Sequence, residues 1–385
     1  MSTSQADNFR YDVCIVGLKC WDYFRGVPNP RYIGGIETDM VTLAKLLAES
    51  GLSVAFVVYD EGQNDVETID GVDIYKTFAH DEGLPVLRLV HPRGTKLIQT
   101  LRAVNARSVL QMGAGVLTGW GVIACHGARP RQRFIFLAGS DSDCLTKLPF
   151  LSRVQERILY RFGLKRADIV VAQTTGQAQL LAQNFSISNA PVIRLPSRLN
   201  ATPAAVESPI PIESARLQVL WVGRLVAIKR PEWLVDLAQS HGEVDFYLAG
   251  SANAESPFEK DIIERAQSVP NLSLLGRVAA DQMQALYQRA DLLLNTSELE
   301  GFPATILEAL SVGTPIVTTF DPGGFIARYS AGATVTTQQE LSAVLTDSDL
   351  RTKLDDWADQ ARELFAHEFS PEVGVRRVRA VLESA

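Results

Sequence analysis

The chain has 385 residues, 46% of them hydrophobic and 21% charged, and a formal net charge of −7. That composition excludes a disordered or fibrous chain, and the length exceeds what one growing core sustains, so two domains are expected. No apolar run is long enough to cross a bilayer and Met1 to Phe9 is polar, which predicts a cytoplasmic protein, or one peripheral on the cytoplasmic face of a membrane.

Short β-branched runs alternate with amphipathic segments along the whole chain. Strands are predicted at 11–17, 53–59, 72–78, 107–112, 133–138, 168–173 and 191–195, then at 217–222, 245–250, 272–275, 291–295 and 315–319. Such alternation implies βαβ units and parallel sheets. The stretch Asn200 to Ser214 is rich in Pro, Ala and Ser and lacks periodicity, which marks a hinge. The predicted organisation is a first domain over 1–197, a linker over 198–214, a second domain over 215–368 and a terminal segment over 369–385. Leu350 to Phe365 reads as a long helix, Ser370-Pro371 breaks it, and Val373 to Leu382 begins another.

The first strand leads, after a loop, to Gly34-Gly35-Ile36-Glu37 and an amphipathic segment ending at Glu49. A glycine pair lets backbone approach a ligand closely, although such a pair is more often a plain turn. The strand over Arg133 to Leu137 ends in Ala138-Gly139-Ser140-Asp141-Ser142-Asp143. Directly after the first strand, Gly17-Leu18-Lys19-Cys20-Trp21-Asp22 holds a single glycine, which argues against a nicotinamide-binding fingerprint.

In the second half, the strand Leu217 to Val222 runs into Gly223-Arg224, with Lys229 five residues on and Pro231 opening the next helix. The carboxyl end of a parallel strand is where open α/β sheets bind ligands, and Arg224 and Lys229 there offer a planar fork and a point charge to phosphate oxygens. The plain alternative is that they are surface bases, as Arg230 reads. Farther on comes Glu300-Gly301-Phe302-Pro303-Ala304-Thr305-Ile306-Leu307-Glu308, then Gly313. Pro303 suits the first turn of a helix that stops at Gly313, with Glu300 just outside its positive end and Glu308 inside it. Gly276-Arg277-Val278 follows another strand end, and Arg277 is a weaker candidate for ligand contact.

Together these stretches resemble glycosyltransferase family 4, the retaining enzymes also called glycosyl transferases group 1. The resemblance implies a GT-B fold, two doubly wound Rossmann-like domains facing across a cleft. It implies that Arg224 and Lys229 hold the donor diphosphate and that Glu308 holds the ribose. Glu300 would sit beside the donor sugar, and Gly301, Phe302, Pro303 and Gly223 would line the donor site. Gly34 and Gly35 would press against the donor phosphate, and Gly139, Ser140 and Asp141 would lie on the acceptor side. The terminal helix would cross back onto the first domain. Two departures stand out: Ala138 occupies the place of a histidine found in many relatives, and Pro196-Ser197-Arg198 replaces the usual Pro-Asn-Gly turn.

The implied activity is transfer of a sugar, with retention, from a nucleotide diphosphate sugar to an acceptor hydroxyl, in cell-surface polysaccharide or glycolipid synthesis. A sugar-nucleotide epimerase and a catalytically silent partner subunit are the alternatives within the same fold. No cofactor and no metal are expected. Cys14, Cys20, Cys125 and Cys144 lack zinc spacing, the five histidines are scattered, and Asp141-Ser142-Asp143 reads as a loop.

Charge adds a separate reading. Residues 1–197 carry 21 Lys and Arg against 18 Asp and Glu, whereas residues 198–385 carry 16 against 26. From Gly83 to Ser140 there is no acidic residue, while Arg88, Arg93, Lys96, Arg102, Arg107, Arg129, Arg131 and Arg133 are basic. Arg153, Arg157, Arg161, Lys165 and Arg166 then interleave with Val154, Ile158, Leu159 and Phe162. This pattern fits a solvated basic face around a buried helix stripe. It equally fits a face that meets an anionic membrane and takes a lipid-linked acceptor, with Arg129, Arg131 and Arg133 in the contact. Nucleic acid is a poorer partner for a chain of net negative charge with no nucleic-acid module.

Overall fold

A computed structural model describes residues 9–384 apart from 28–29, 33, 85–86, 149–150, 152, 196–207, 209, 212–214, 251–255, 299–302 and 322. The chain divides into two compact units, Met1–Arg198 with Pro371–Ala385, and Leu199–Ser370.

Among the described residues the first unit is built on seven strands: β1 (Tyr11–Val16), β2 (Val54–Val58), β3 (Val66–Ile69), β4 (Val72–Lys76), β5 (Ala106–Met112), β6 (Arg133–Leu137) and β7 (Ile169–Val171). Their order is β3-β4-β2-β1-β5-β6-β7, parallel except where β3 pairs antiparallel with β4. Both faces are covered, so alternate side chains feed two cores. Cys14 and Val16 enter one, and Val13 and Ile15 the other. That double burial is why these strands read as continuous apolar runs. The final helix, Pro371–Glu383, buries Val378, Val381 and Leu382 in the second of these cores.

The second unit holds β8 (Leu217–Val222), β9 (Val244–Ala249), β10 (Leu272–Gly276), β11 (Leu292–Asn295), β12 (Ile316–Thr318) and β13 (Gly332–Thr334). The order is β10-β9-β8-β11-β12-β13, all parallel. Ile210, within the predicted linker, is buried in this unit's core, while most of residues 198–214 lie outside the described residues. Phe369 packs edge-on against Phe325 in the same core, and the chain rejoins the first unit at Pro371.

Three sequence expectations change. Residues 191–195 form no strand, only a bridge between Val192 and Ala172. Two strands escaped prediction: β3 is half-exposed and follows no apolar run, and β13 is three residues long. Pro303 stands one residue outside its helix, which runs Ala304–Val312 and ends at Gly313 in the left-handed region, φ 79°.

Candidate active site

In the second unit the strand order reverses between β8 and β11. Ligands of open α/β sheets bind beyond the carboxyl ends of the strands at such a reversal. Gly223 lies there, its N–H donating to Ala249 O at 3.0 Å. A Cβ on Gly250 would come within 2.2 Å of Gly223 O, so the ends of β8 and β9 approach each other as bare backbone. Arg224 follows, exposed, and Ala227–Lys229 make one tight 3-10 turn.

That turn is held from beneath by the end of β11. Thr296 Oγ1 accepts from Trp221 Nε1 at 2.9 Å and donates to Lys229 O at 2.6 Å. Arg230, left-handed at φ 47°, gives Nε to Thr296 O at 2.7 Å and Nη2 to Thr319 Oγ1 at 3.2 Å, and stacks on Trp233. Arg230 is therefore a tie of the fold rather than a plain surface base. Glu298 N closes the loop on Ile228 O at 2.9 Å. The result is a short loop with fixed backbone that presents Arg224 and Lys229 at the strand ends, the arrangement that suits charge-assisted contacts to phosphate oxygens.

Glu308 sits in the helix Ala304–Val312, part-buried, and its Oε2 accepts from Tyr287 Oη at 2.6 Å. Burial pushes the Glu308 carboxyl above the usual carboxylate range, and the Tyr287 hydroxyl works against that rise. Burial and the neighbouring Glu308 together raise the Tyr287 phenol, which stays a donor. A carboxylate oriented by one donor keeps acceptor capacity for ligand hydroxyls. Pro303 is buried at the helix cap. Arg277 is exposed past the end of β10, two strands from β8. Glu300, Gly301 and Phe302 lie outside the described residues, as do Pro196, Ser197 and Arg198.

The first unit reverses its strand order between β1 and β5. Gly34 caps the helix Gly35–Glu49 in extended backbone, its N–H donating to Tyr23 Oη at 3.1 Å. Ile36 then packs so tightly that a Cβ on Gly139 would meet its Cδ1 at 2.8 Å and one on Gly113 at 3.4 Å. The glycine pair and the Gly139 loop thus share one end of the first sheet. A Cβ on Gly34 would also lie 2.2 Å from Glu37 Oε2, so this carboxylate folds back over the helix start. That is the ground an anion at this N-terminus would take. An acidic residue three positions past the cap is the sequence signal that points to it.

Gly139 N and Ser140 N both donate to Asp143 Oδ2, at 2.7 and 3.0 Å. Burial raises the Asp143 carboxyl, opposed by the N–H groups of Ala114, Gly139 and Ser140. Asp143 is therefore a cap for the turn Asp141–Cys144 and not half of an exposed acidic pair. Asp141 is half-buried, raised by burial with the Gln177 side chain opposing. Ala138 is buried in the first core. Among the described residues no group of three or more His, Cys, Asp or Glu is placed to hold a metal ion. All four cysteines are buried, and burial pushes the Cys20 thiol up, which leaves it unreactive.

Residues 216–347 match the family model described as glycosyl transferases group 1. Mannosylfructose-phosphate synthase of Agrobacterium fabrum is 29% identical over 199 residues, which are 46% of this chain and 42% of that protein. An uncharacterised glycosyltransferase of Methanocaldococcus jannaschii is 21% identical over 333 residues, 78% of this chain and 79% of that one. Sucrose-phosphate synthase of Thermosynechococcus elongatus superposes with a TM-score of 0.70 at 16% identity, covering 96% of this chain and 97% of that one. Two Rossmann-like domains of this kind define a GT-B protein. The second unit thus carries the match to glycosyl transferases group 1, and the chain as a whole is similar to glycosyltransferases of this type.

Proposed function

We propose that the chain transfers a sugar from a nucleotide diphosphate sugar to an acceptor hydroxyl with retention at the anomeric carbon. The observation that carries this reading is the loop after β8, which sets Arg224 and Lys229 beside the strand reversal of the unit that holds the oriented carboxylate of Glu308. In this reading Arg224 and Lys229 neutralise the charge that develops on the leaving diphosphate, which oriented cations achieve without a metal. Glu308 accepts from the ribose hydroxyls, and Glu300 stands by the donor sugar. Gly34 and Gly35 offer backbone to a phosphate once Glu37 swings aside. The leaving phosphate takes the acceptor's proton on the same face, so no protein nucleophile is needed. Gly139, Ser140 and Asp141 serve the acceptor, which we assign to cell-surface polysaccharide or glycolipid synthesis.

A thermal-shift and hydrolysis screen of nucleotide sugars tests the reading. One donor should raise the melting temperature and be turned over. Arg224→Ala and Lys229→Ala should each lose roughly 1.5–3 kcal/mol of nucleotide diphosphate affinity, the cost of a charged hydrogen bond. Unchanged affinity in both variants refutes the assignment, and a product with inverted configuration by NMR refutes retention.

A further inference from the structure

The bases of the first unit fall into two groups with different work. Arg131 and Arg133, expected from the sequence to meet a membrane, are taken up by the fold. Arg131 pairs with Asp168 at 2.6 Å, and Arg133 donates to Ser384 O at 2.9 Å and to Leu382 O, closing the end of the terminal helix. They line a cavity of about 590 Å³ together with Arg107, Arg379 and Glu383.

The second group lies on the helix Val154–Arg166. Its inner side is Tyr160, Gly163 and Leu164, set so close to the helix Val116–His126 that a Cβ on Gly163 would lie 2.5 Å from the Thr118 carbonyl. Its outer side does not form the buried stripe that was one sequence expectation. Val154, Ile158 and Phe162, four residues apart and hence on one face, are 68%, 63% and 40% exposed. Arg153, Arg157, Arg161, Lys165 and Arg166 surround them, and the helix's single acid, Glu156, is turned back onto Arg153 N.

Exposed apolar residues are ordinary when scattered and informative when clustered. Of the ten large apolar side chains exposed among the described residues, Leu145, Val154, Ile158 and Phe162 belong to this helix and the loop before it. Leu84, Leu87 and Val90 are three more, beside a segment whose Gly94 abuts Trp120 of the same Val116–His126 helix. The Val154–Arg166 helix also grips the loop that follows β6. Tyr160 Oη donates to Asp143 O at 2.8 Å and Arg161 Nη2 to Thr146 O at 2.8 Å.

We propose that the helix Val154–Arg166 lies on an anionic bilayer, with Val154, Ile158 and Phe162 entering the headgroup boundary and the surrounding bases pairing with lipid phosphates. Apolar residues framed by Arg and Lys at helical spacing match that surface on both counts, greasy interior and negative charge. Through Tyr160 and Arg161 the docked helix fixes the Gly139–Asp141 loop at the lipid surface, where a lipid-linked acceptor is met. That last consequence rests on the acceptor role given to the loop above, whereas the docking itself does not.

Sedimentation of the full chain with vesicles decides it. Binding is expected on phosphatidylcholine vesicles containing phosphatidylglycerol, absent on pure phosphatidylcholine, and weakened by salt. The combined Val154→Ser, Ile158→Ser and Phe162→Ser variant should lose at least tenfold in partitioning, as should Arg153→Glu with Lys165→Glu and Arg166→Glu, while circular dichroism and nucleotide-sugar hydrolysis in solution stay unchanged. Equal binding to neutral vesicles, no binding to anionic ones, or a triple-serine variant that partitions as before overturns the proposal. So does a dimer in analytical ultracentrifugation that the serine variant dissolves, since a second copy then covers the face. Failure of nucleotide-sugar turnover with vesicle binding intact removes the transferase reading, and the acceptor role with it, and leaves the docking standing.

Discussion

Replacing Tyr287 by Phe removes the hydroxyl that donates to Glu308 Oε2 at 2.6 Å and leaves the rest of a fully buried ring in place. A hydrogen bond to a charged group contributes roughly 1.5–3 kcal/mol. For a domain of this size each kcal/mol moves the melting temperature about 2–4 °C, so the variant should melt roughly 3–12 °C lower at neutral pH. The pH dependence has a definite sign. Burial already holds the Glu308 carboxyl above its ordinary value, so the folded state binds the extra proton and stability falls as pH rises from that ordinary value through the raised one. Without Tyr287 the opposing influence is gone and the window extends upward, so the deficit grows from acid to neutral pH. Glu308→Gln removes the titration, and on that background Tyr287→Phe should cost only a neutral hydrogen bond, about 1 kcal/mol. Calorimetry of the four proteins across pH reads the cycle. An equal penalty with and without the carboxylate, or one independent of pH, refutes the account of Glu308 as a part-buried ion steadied by Tyr287.

Thr296→Val breaks the contact under the Lys229 turn and strands Trp221 Nε1, so it should cost about 1–3 kcal/mol of stability and weaken nucleotide diphosphate binding without touching the ligand; calorimetry and titration read both. Asp143→Ala strips the cap from Gly139 N and Ser140 N and should lower turnover while donor affinity, measured separately, is kept. Gly163→Ala drives a methyl into the Thr118 backbone and should destabilise by about 1–3 kcal/mol, seen as an earlier melting transition. Activity should persist in EDTA, and loss that manganese or magnesium restores would require a metal in the mechanism.

Most strands were legible because burial on both faces makes each a short apolar run that ends at a glycine or a polar turn, as Leu217–Val222 does before Gly223. The strand Val66–Ile69 was not, since its side chains alternate between exposed and half-exposed and carry no such run; its signal was the turn, Asp70-Gly71, both residues at positive φ. The helix after Pro303 was legible from its proline and its glycine, to within one residue. What the sequence hid was every tie made at a distance. Tyr287 meets Glu308 across 21 positions, and Thr296 meets Lys229 across 67. Nor does periodicity say which side of an amphipathic helix is covered: the stripe Val154, Ile158, Phe162 has core spacing yet faces outward, because Gly163 and Tyr160 take the inner side.

The helix Pro371–Glu383 completes the core of the unit in which the chain begins. On a ribosome, then, the earlier-made of these two units is the later to be finished: Val378, Val381 and Leu382 emerge only after the entire second unit has been made. Through that interval the apolar surface these three side chains will cover stands open, while Leu199–Ser370 has all its own core residues in hand. A fragment ending at residue 198 inherits the same gap permanently, so production of the first domain alone should require the final helix to be grafted back onto it.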